Sequence, residues 1–155
     1  MKNTLYVCVG APGSGKSTWS KQLVKDNDNV IRLCPDEFRA LVGTGEDDMS
    51  VSHIAFNITY EETDKILSNG KSVVIDATNM YKKARKKFLK IADKYNCNKV
   101  AVVFEMTKEN LIERNIQRSM NGGRRVPDDV IDRMLTSYQT PTNDEFNSIV
   151  FISKL

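Results

Sequence analysis

The chain has 155 residues and a mass of 17.6 kDa, which is the size of one ordinary domain. Hydrophobic residues make up 40% of it and charged residues 28%, a normal globular composition that excludes a disordered or fibrous chain. The net charge of +3 is too small to indicate a nucleic-acid partner by itself.

Three widely spaced cysteines and a single histidine, His53, exclude a disulfide framework and a Cys/His zinc site. The N-terminus has no signal-peptide pattern, and the longest apolar run, Val100 to Phe104, is far below the roughly 20 residues that span a bilayer. We therefore expect a cytoplasmic protein with no membrane partner.

Short apolar runs alternate with longer amphipathic runs, a pattern typical of βα units around a mainly parallel sheet. Strands are predicted at residues 5–9, 30–34, 72–75, 100–104 and 149–152. Helices are predicted at about 17–25, from about 51 to a stop at Gly70, over 84–95, from Thr107 to about Met120, and after Pro127. Because no repeat or Pro-, Gly- or Ser-rich linker divides the chain, residues 1–155 are predicted to form a single α/β domain with a five-stranded sheet flanked by helices.

Residues 10–17 read Gly-Ala-Pro-Gly-Ser-Gly-Lys-Ser and match the phosphate-binding pattern G-x-x-x-x-G-K-[ST] between a predicted strand and a predicted helix. The glycines let backbone N–H groups curl around phosphate oxygens, and the helix N-terminus adds partial positive charge. We predict that Lys16 reaches the β- and γ-phosphates of ATP and that Ser17 is a ligand of Mg²⁺. The nucleotide-binding residues of this loop are predicted to be Gly10, Gly13, Ser14, Gly15, Lys16 and Ser17.

The loop alone leaves the reaction open, because GTPases, ATPases and small kinases share it. The guanine-binding pattern N-K-x-D is incomplete at Asn98 to Ala101, and motor or AAA-type ATPases are usually longer and carry paired acids after the Walker B strand. The small size favours a kinase, in which a second substrate supplies the hydroxyl.

Phosphoryl transfer to an alcohol calls for a carboxylate beside the attacking oxygen. Asp36 follows the second predicted strand, and the carboxyl ends of the strands line the ligand crevice in α/β sheets. Arg39 lies three residues further on, on the same side of a helical turn, where it can clamp an acceptor phosphate. The alternative is that Asp36 only caps the following helix.

The third predicted strand ends in Asp76-Ala77-Thr78-Asn79 at the same edge of the sheet. These polar groups either order the acceptor or, for Asp76, hold Mg²⁺ through water. The alternative is a polar turn whose side chains bond to their own backbone.

Residues 114–125 carry four arginines, at positions 114, 118, 124 and 125, with glycines at 122 and 123. Arg114 and Arg118 are four residues apart and project from one helix face. This segment, about 114–127, is predicted to be a lid that closes over ATP and neutralises transition-state charge. The alternative is a solvated basic loop.

Basic side chains crowd residues 82–94 directly after the Asp76–Asn79 turn. A phosphate backbone that leaves the acceptor site would be able to follow them. A solvated helix face is the more ordinary interpretation.

Together these residues make the chain resemble the kinase domain of the bacteriophage polynucleotide kinase family, from the first strand through about Tyr138. The phosphate loop continues into Thr18-Trp19 as in that family, which adds Thr18 to the nucleotide site. The resemblance implies a P-loop kinase fold and an enzyme that uses ATP and Mg²⁺ to phosphorylate the 5′-hydroxyl ends of DNA or RNA. The family residues map here as follows: Asp36 is the general base, Arg39 binds the 3′-phosphate of the acceptor, Thr78 and Asn79 form the acceptor loop, and Arg114 and Arg118 belong to the lid, in which Arg118 contacts the donor phosphates.

The chain departs from that family at three points, one of which is a longer lid at residues 121–125. The acid before Thr-Asn stands one residue earlier, at Asp76, with Ala77 directly before Thr78. No D-x-D-G-T phosphatase motif is present. A 3′-phosphatase activity is therefore not expected, and a separate phosphatase or ligase is the expected kind of protein partner, in the host cytoplasm if the protein is phage-encoded.

Three hypotheses remain. The first is an ATP-dependent polynucleotide 5′-hydroxyl kinase in which Asp36, Lys16 and Arg118 are catalytic. The second is a P-loop kinase for a small alcohol such as a nucleoside or sugar, and the third is a nucleotide-binding regulator without an acceptor.

Overall fold

The computed structural model of the protein describes residues 2–105, 107–123 and 126–153. The strands in this part of the chain are β1 (Thr4–Val9), β2 (Val30–Leu33), β3 (Ser72–Ile75), β4 (Asn98–Glu105) and β5 (Ser148–Ser153). The α-helices there are α1 (Lys16–Asp26), α2 (Pro35–Val42), α3 (Ser52–Ser68), α4 (Lys82–Lys94), α5 (Lys108–Met120) and α6 (Asp128–Ser137). A single 3₁₀ turn over Met49–Val51 precedes α3.

The strands form one parallel sheet in the order β2-β3-β1-β4-β5. Val7 in β1 stands opposite Ile75 in β3 and Ala101 in β4, and Leu33 in β2 stands opposite Ile75. This register brings the carboxyl ends of β1, β2 and β3 together at one edge. The predicted α/β fold is confirmed, and so is each predicted strand.

Helices cover both faces of the sheet, which is why β3 is buried along its whole length and apolar from Val73 to Ile75. Val73 and Ile75 pack on one face with Phe88 of α4, and Val74 packs on the other face with Trp19 of α1. β1 and β3 each have a strand on both sides and helices on both faces. The site described below begins at the carboxyl ends of these two strands.

Local signals set the helix ends. Thr107 caps α5, because its hydroxyl accepts a hydrogen bond from the backbone N–H of Asn110 at 3.2 Å. Gly70 follows α3 with a φ of 78°, a left-handed conformation that glycine adopts without strain. Among the described residues, no helix is long and apolar enough to cross a membrane.

Candidate active site

The loop between β1 and α1 has the backbone conformation that its glycines allow. Gly15 has a φ of 101° and stands at the N-cap of α1, so the first N–H groups of the helix open toward the loop. Gly13 has a φ of 84°, and a Cβ there would lie 3.3 Å from Cβ of Arg114 and from the carbonyl oxygen of Leu111. The loop therefore packs directly against α5, the helix that begins the predicted lid.

Lys16 is buried in this loop, and its Nζ donates a hydrogen bond to the carbonyl oxygen of Ala11 at 2.9 Å. Burial lowers the pKa of Lys16 to about 8, although the nearby carboxylate of Asp76 acts in the opposite direction. The ammonium group is thus held at the phosphate end of the cleft and loses its proton more readily than an exposed lysine.

Ser17 and Asp76 meet at the carboxyl ends of β1 and β3. The Ser17 hydroxyl donates to Oδ2 of Asp76 at 2.9 Å, and the Ser20 hydroxyl donates to the same oxygen at 3.2 Å. Asp76 is only 4% exposed. A serine hydroxyl beside a carboxylate is an oxygen donor set that suits Mg²⁺, so these residues fit the ion that the phosphate loop implies.

Asp36 lies between two arginines. Arg39, in the same helix, forms an ion pair with Oδ1 of Asp36, and Arg118 of α5 approaches Oδ2 at 3.2 Å through its Nη2. The same Nη2 lies 3.3 Å from a carboxylate oxygen of Glu46, whose backbone carbonyl accepts a hydrogen bond from Nε of Arg39 at 2.9 Å. The N-cap of α2 is Cys34, without a side-chain cap bond, so capping does not account for Asp36.

The Ser17–Asp76 pair and the cluster of charges around Asp36 line one cleft of about 710 Å³. Its walls come from the phosphate loop, from the carboxyl ends of β2 and β3, from α2, from the start of α3 and from α5. The predicted site residues that line it are Gly13, Gly15, Lys16, Ser17, Thr18, Asp36, Arg39, Asp76, Thr78, Arg114 and Arg118. The structure thus brings the predicted donor, acceptor and lid residues together.

Three predicted site residues lie behind the cleft. Gly10 is buried, and its N–H donates to the carbonyl oxygen of Thr78 at 2.9 Å. The Ser14 hydroxyl is also buried. It packs against Gly10 and does not line the cleft. Asn79 is 2% exposed and donates from Nδ2 to the carbonyl oxygen of Cys8 at 3.0 Å. The Asn79 side chain therefore ties the turn after β3 to β1, and its contact with the acceptor stays a prediction.

Arg39, which is predicted to clamp an acceptor phosphate, is held by other side chains in this structure. It is 3% exposed, and besides Asp36 and Glu46 it approaches the Ser52 hydroxyl at 3.5 Å. Arg39 reaches the cleft, but it does so from within a set of bonds that hold α2 to the loop before α3.

Asn115, near the start of the predicted lid, joins it to Val126 near the end. This buried side chain donates to the carbonyl oxygen of Val126 and accepts from the N–H of Val126 at 2.9 Å. Gly122, with a φ of 87°, follows the end of α5, and the N–H of Gly123 donates to the carbonyl oxygen of Arg118 at 2.9 Å. The predicted lid arginines at 124 and 125 lie outside the described residues.

The basic helix α4 does not present all its cations to solvent. Arg85 is fully buried and forms a two-bond ion pair with Glu145, at 2.9 and 3.0 Å, while its Nη1 donates to the carbonyl oxygen of Asn79. Lys87 lies over the ring of Tyr60, and Lys94 pairs with Asp64. Arg85 is therefore a structural residue, which corrects its inclusion among the basic side chains of a phosphate-binding face. The six lysines of α4 are all exposed: Lys82, Lys83, Lys86, Lys87, Lys90 and Lys94.

Sequence reasoning missed four charged residues of the cleft, Lys21, Arg32, Glu37 and Glu46. Arg32, on β2, forms ion pairs with Asp76 at 2.6 Å and with Glu37. A charged residue inside a short apolar strand is the signal that marks Arg32, because such a residue needs a buried partner. Glu46 stands in a polar loop and carries no comparable signal.

Known proteins resemble this chain in sequence and in fold. A family model described as an AAA domain matches residues 5–141. The chain belongs to this family. Together with the kinases that share its sequence and fold, the match makes the chain a P-loop kinase domain.

The L-seryl-tRNA(Sec) kinase of Methanococcus maripaludis is 29% identical over 151 residues, which are 88% of this chain and 53% of that protein. A chain of the Pnkp1/Rnl/Hen1 RNA repair complex is 27% identical with a TM-score of 0.77, over 88% of this chain and 44% of that one. A structure from Chloroflexus aurantiacus has a TM-score of 0.77 at 16% identity, over 99% of this chain and 89% of that one, and shows the fold alone. The chain spans about half the length of the curated relative named here.

Proposed function

We propose that this protein is an ATP- and Mg²⁺-dependent polynucleotide 5′-hydroxyl kinase, and that residues 1–155 act as one kinase domain with a lid at about 114–127. The observation that carries the proposal is the position of Asp36, across one cleft from Lys16 and in contact with Arg118. A carboxylate beside an arginine and facing a phosphate loop is the arrangement that phosphoryl transfer to an alcohol requires.

In this mechanism Asp36 accepts the proton of the 5′-hydroxyl as its oxygen attacks the γ-phosphorus of ATP, and ADP leaves. Lys16 holds the β- and γ-phosphates, and Arg118 stabilises the charge on the phosphoryl group during transfer. Ser17, and Asp76 through water, would hold the Mg²⁺, which neutralises charge on the phosphates when bound. The loop glycines keep the backbone N–H groups turned toward the phosphates.

Two observations support a polynucleotide as the acceptor. The exposed lysines of α4 begin three residues after Asn79, and Thr78 in that turn lines the cleft. The curated relative is named as a kinase of a seryl-tRNA, and the 27% identical chain belongs to a complex named for RNA repair. The name of the RNA repair complex also supports our proposal that a separate phosphatase or ligase works with this protein.

A small alcohol is the second candidate acceptor. The burial of Arg39 favours it, because a guanidinium that is 3% exposed offers little surface to a 3′-phosphate. A nucleoside or sugar needs no such contact.

The test is transfer of labelled γ-phosphate from ATP to a short oligonucleotide with a 5′-hydroxyl, with the same oligonucleotide carrying a 5′-phosphate as the control. We expect label only on the 5′-hydroxyl oligonucleotide, at a higher kcat/KM than on the matching nucleoside. Preferred labelling of the nucleoside or of a sugar would replace the proposal with the second candidate.

A further inference from the structure

Arg32 is a charged residue in the wall of the cleft to which the mechanism above gives no part. It lies on β2, the strand next to the one that carries Asp76 at its end, and its side chain is 12% exposed. A cation this buried inside a four-residue strand is costly unless every polar atom finds a partner.

All three guanidinium nitrogens of Arg32 are engaged. Nη2 donates to Oδ2 of Asp76 at 2.6 Å, and Nε donates to the same oxygen at 3.0 Å and to the Ser20 hydroxyl at 3.1 Å. Nη1 pairs with the carboxylate of Glu37. The planar fork therefore joins the metal side of the cleft to α2, the helix that carries Asp36.

The charge of Asp76 is compensated mainly by this arginine. Lys16 acts on Asp76 across the cleft, but its Nζ is bonded to the carbonyl oxygen of Ala11. Among the described residues, Arg32 is the cation that forms an ion pair with Asp76. A carboxylate whose charge is compensated in this way attracts a divalent ion less strongly than one without a counter-ion.

We propose that Arg32 is a positioning residue for phosphoryl transfer. It holds Asp76 as a hydrogen-bond acceptor for Ser17 rather than as a direct metal ligand, so that the ion would be left to Ser17 and the nucleotide phosphates. Through Glu37 it also sets the position of α2, and hence of Asp36, relative to the phosphate loop. The inference rests on the proposed function for the role of Asp36, but not for the pairing of Arg32 with Asp76.

Binding of Mn²⁺ to the nucleotide-free protein, followed by its electron paramagnetic resonance signal, tests the first part. Arg32→Met leaves Asp76 without its counter-ion, and we expect Mn²⁺ affinity to rise about tenfold or more. The gain should disappear in Arg32→Met combined with Asp76→Asn. Arg133→Met, which removes an exposed cation paired with Asp129, is the control and should bind Mn²⁺ as the wild type does.

Unchanged or weaker Mn²⁺ binding by folded Arg32→Met would overturn the proposal, and so would a gain that persists without Asp76. A purely structural arginine would lower the melting temperature without strengthening metal binding. Because this measurement needs no acceptor, it stands even if the protein does not phosphorylate oligonucleotides.

Arg32→Lys tests the second part, and it also serves if Arg32→Met does not fold. Lysine keeps the charge but has a single nitrogen, which cannot bond Asp76, Ser20 and Glu37 together. We expect Mn²⁺ affinity to stay at the wild-type value and kcat for transfer to fall about tenfold, with the KM for ATP nearly unchanged. A wild-type kcat would show that the tie to α2 has no part in positioning Asp36.

Discussion

The donor and acceptor sides of the cleft are built in different ways. On the donor side, a short run of consecutive residues forms the phosphate loop, whose shape depends on the backbone conformation of Gly13 and Gly15. On the acceptor side, Asp36 depends on Arg118 from 82 positions away, and Arg118 depends in turn on Glu46 from 72 positions away. In the proposed mechanism, nucleotide recognition is therefore local and shared by many enzymes, whereas acceptor recognition depends on side-chain charges that the fold assembles.

This difference predicts that substitutions on the acceptor side alter transfer while ATP still binds. Arg118 is the point at which the two sides meet, because it contacts Asp36 and belongs to the helix that packs on the phosphate loop. We expect the largest effects at Arg118 and at Asp36, and smaller effects toward the outer surface of the cleft.

Arg118→Ala should have a larger effect than Arg39→Ala, a change of pH or substitutions on α4. Loss of a cation that stabilises the phosphoryl group lowers kcat by about 100- to 1,000-fold. Steady-state kinetics with saturating ATP and acceptor measures it, and Arg133→Ala, which removes an exposed arginine of α6, is the matched control. An effect confined to the KM for the acceptor would contradict the assignment.

Arg39→Ala should change the preference among acceptors. If the guanidinium binds the 3′-phosphate, the ratio of kcat/KM for an acceptor with that phosphate to one without it falls by about tenfold. Because transfer to both acceptors needs Asp36, a disturbance of Asp36 lowers both values of kcat/KM and leaves their ratio unchanged. An unchanged ratio would mean that Arg39 only holds Asp36 in place.

The affinity for ATP should fall as the pH rises. Lys16 has a pKa lowered to about 8, so it carries its charge below that pH and loses it above. Titration with a non-hydrolysable ATP analogue should show binding that weakens by about tenfold between pH 7 and pH 9. Lys16→Met should bind weakly and equally at both pH values, and a wild-type affinity that is equal at both would remove the titration from Lys16.

The smallest effect is expected on α4. Gln in place of Lys82, Lys86 and Lys90 should reduce the slope of log K against log salt for a single-stranded oligonucleotide by about 0.7 for each phosphate that is no longer neutralised. Arg133→Gln is the control, since this exposed arginine lies on α6 and not on α4. Equal slopes in all variants would make α4 a solvated face.

The fold was predictable because its determinants are local. Fully buried parallel strands produce continuous apolar runs, and glycines and prolines mark where helices begin and end. The phosphate loop was predictable for the same reason, as a contiguous pattern in the right context.

The ion pairs of the cleft were not predictable in the same way. Arg32 and Asp76 are 44 residues apart, and only the order of β2, β3 and β1 makes them neighbours. Arg85 stands among exposed lysines in the sequence, although Phe88 and Ala92, three and seven residues on, mark the buried face of its helix. Residue type indicated charge in both cases, and burial decided what the charge does.

We infer that Asp36 is the general base of the kinase and that the phosphate loop binds ATP without it. The most direct measurement compares Asp36→Asn with the wild type in two assays, label transfer to a 5′-hydroxyl oligonucleotide and binding of an ATP analogue. We predict that transfer falls by about 100- to 10,000-fold while the affinity for the analogue stays near the wild-type value. Rapid transfer by Asp36→Asn would contradict the account.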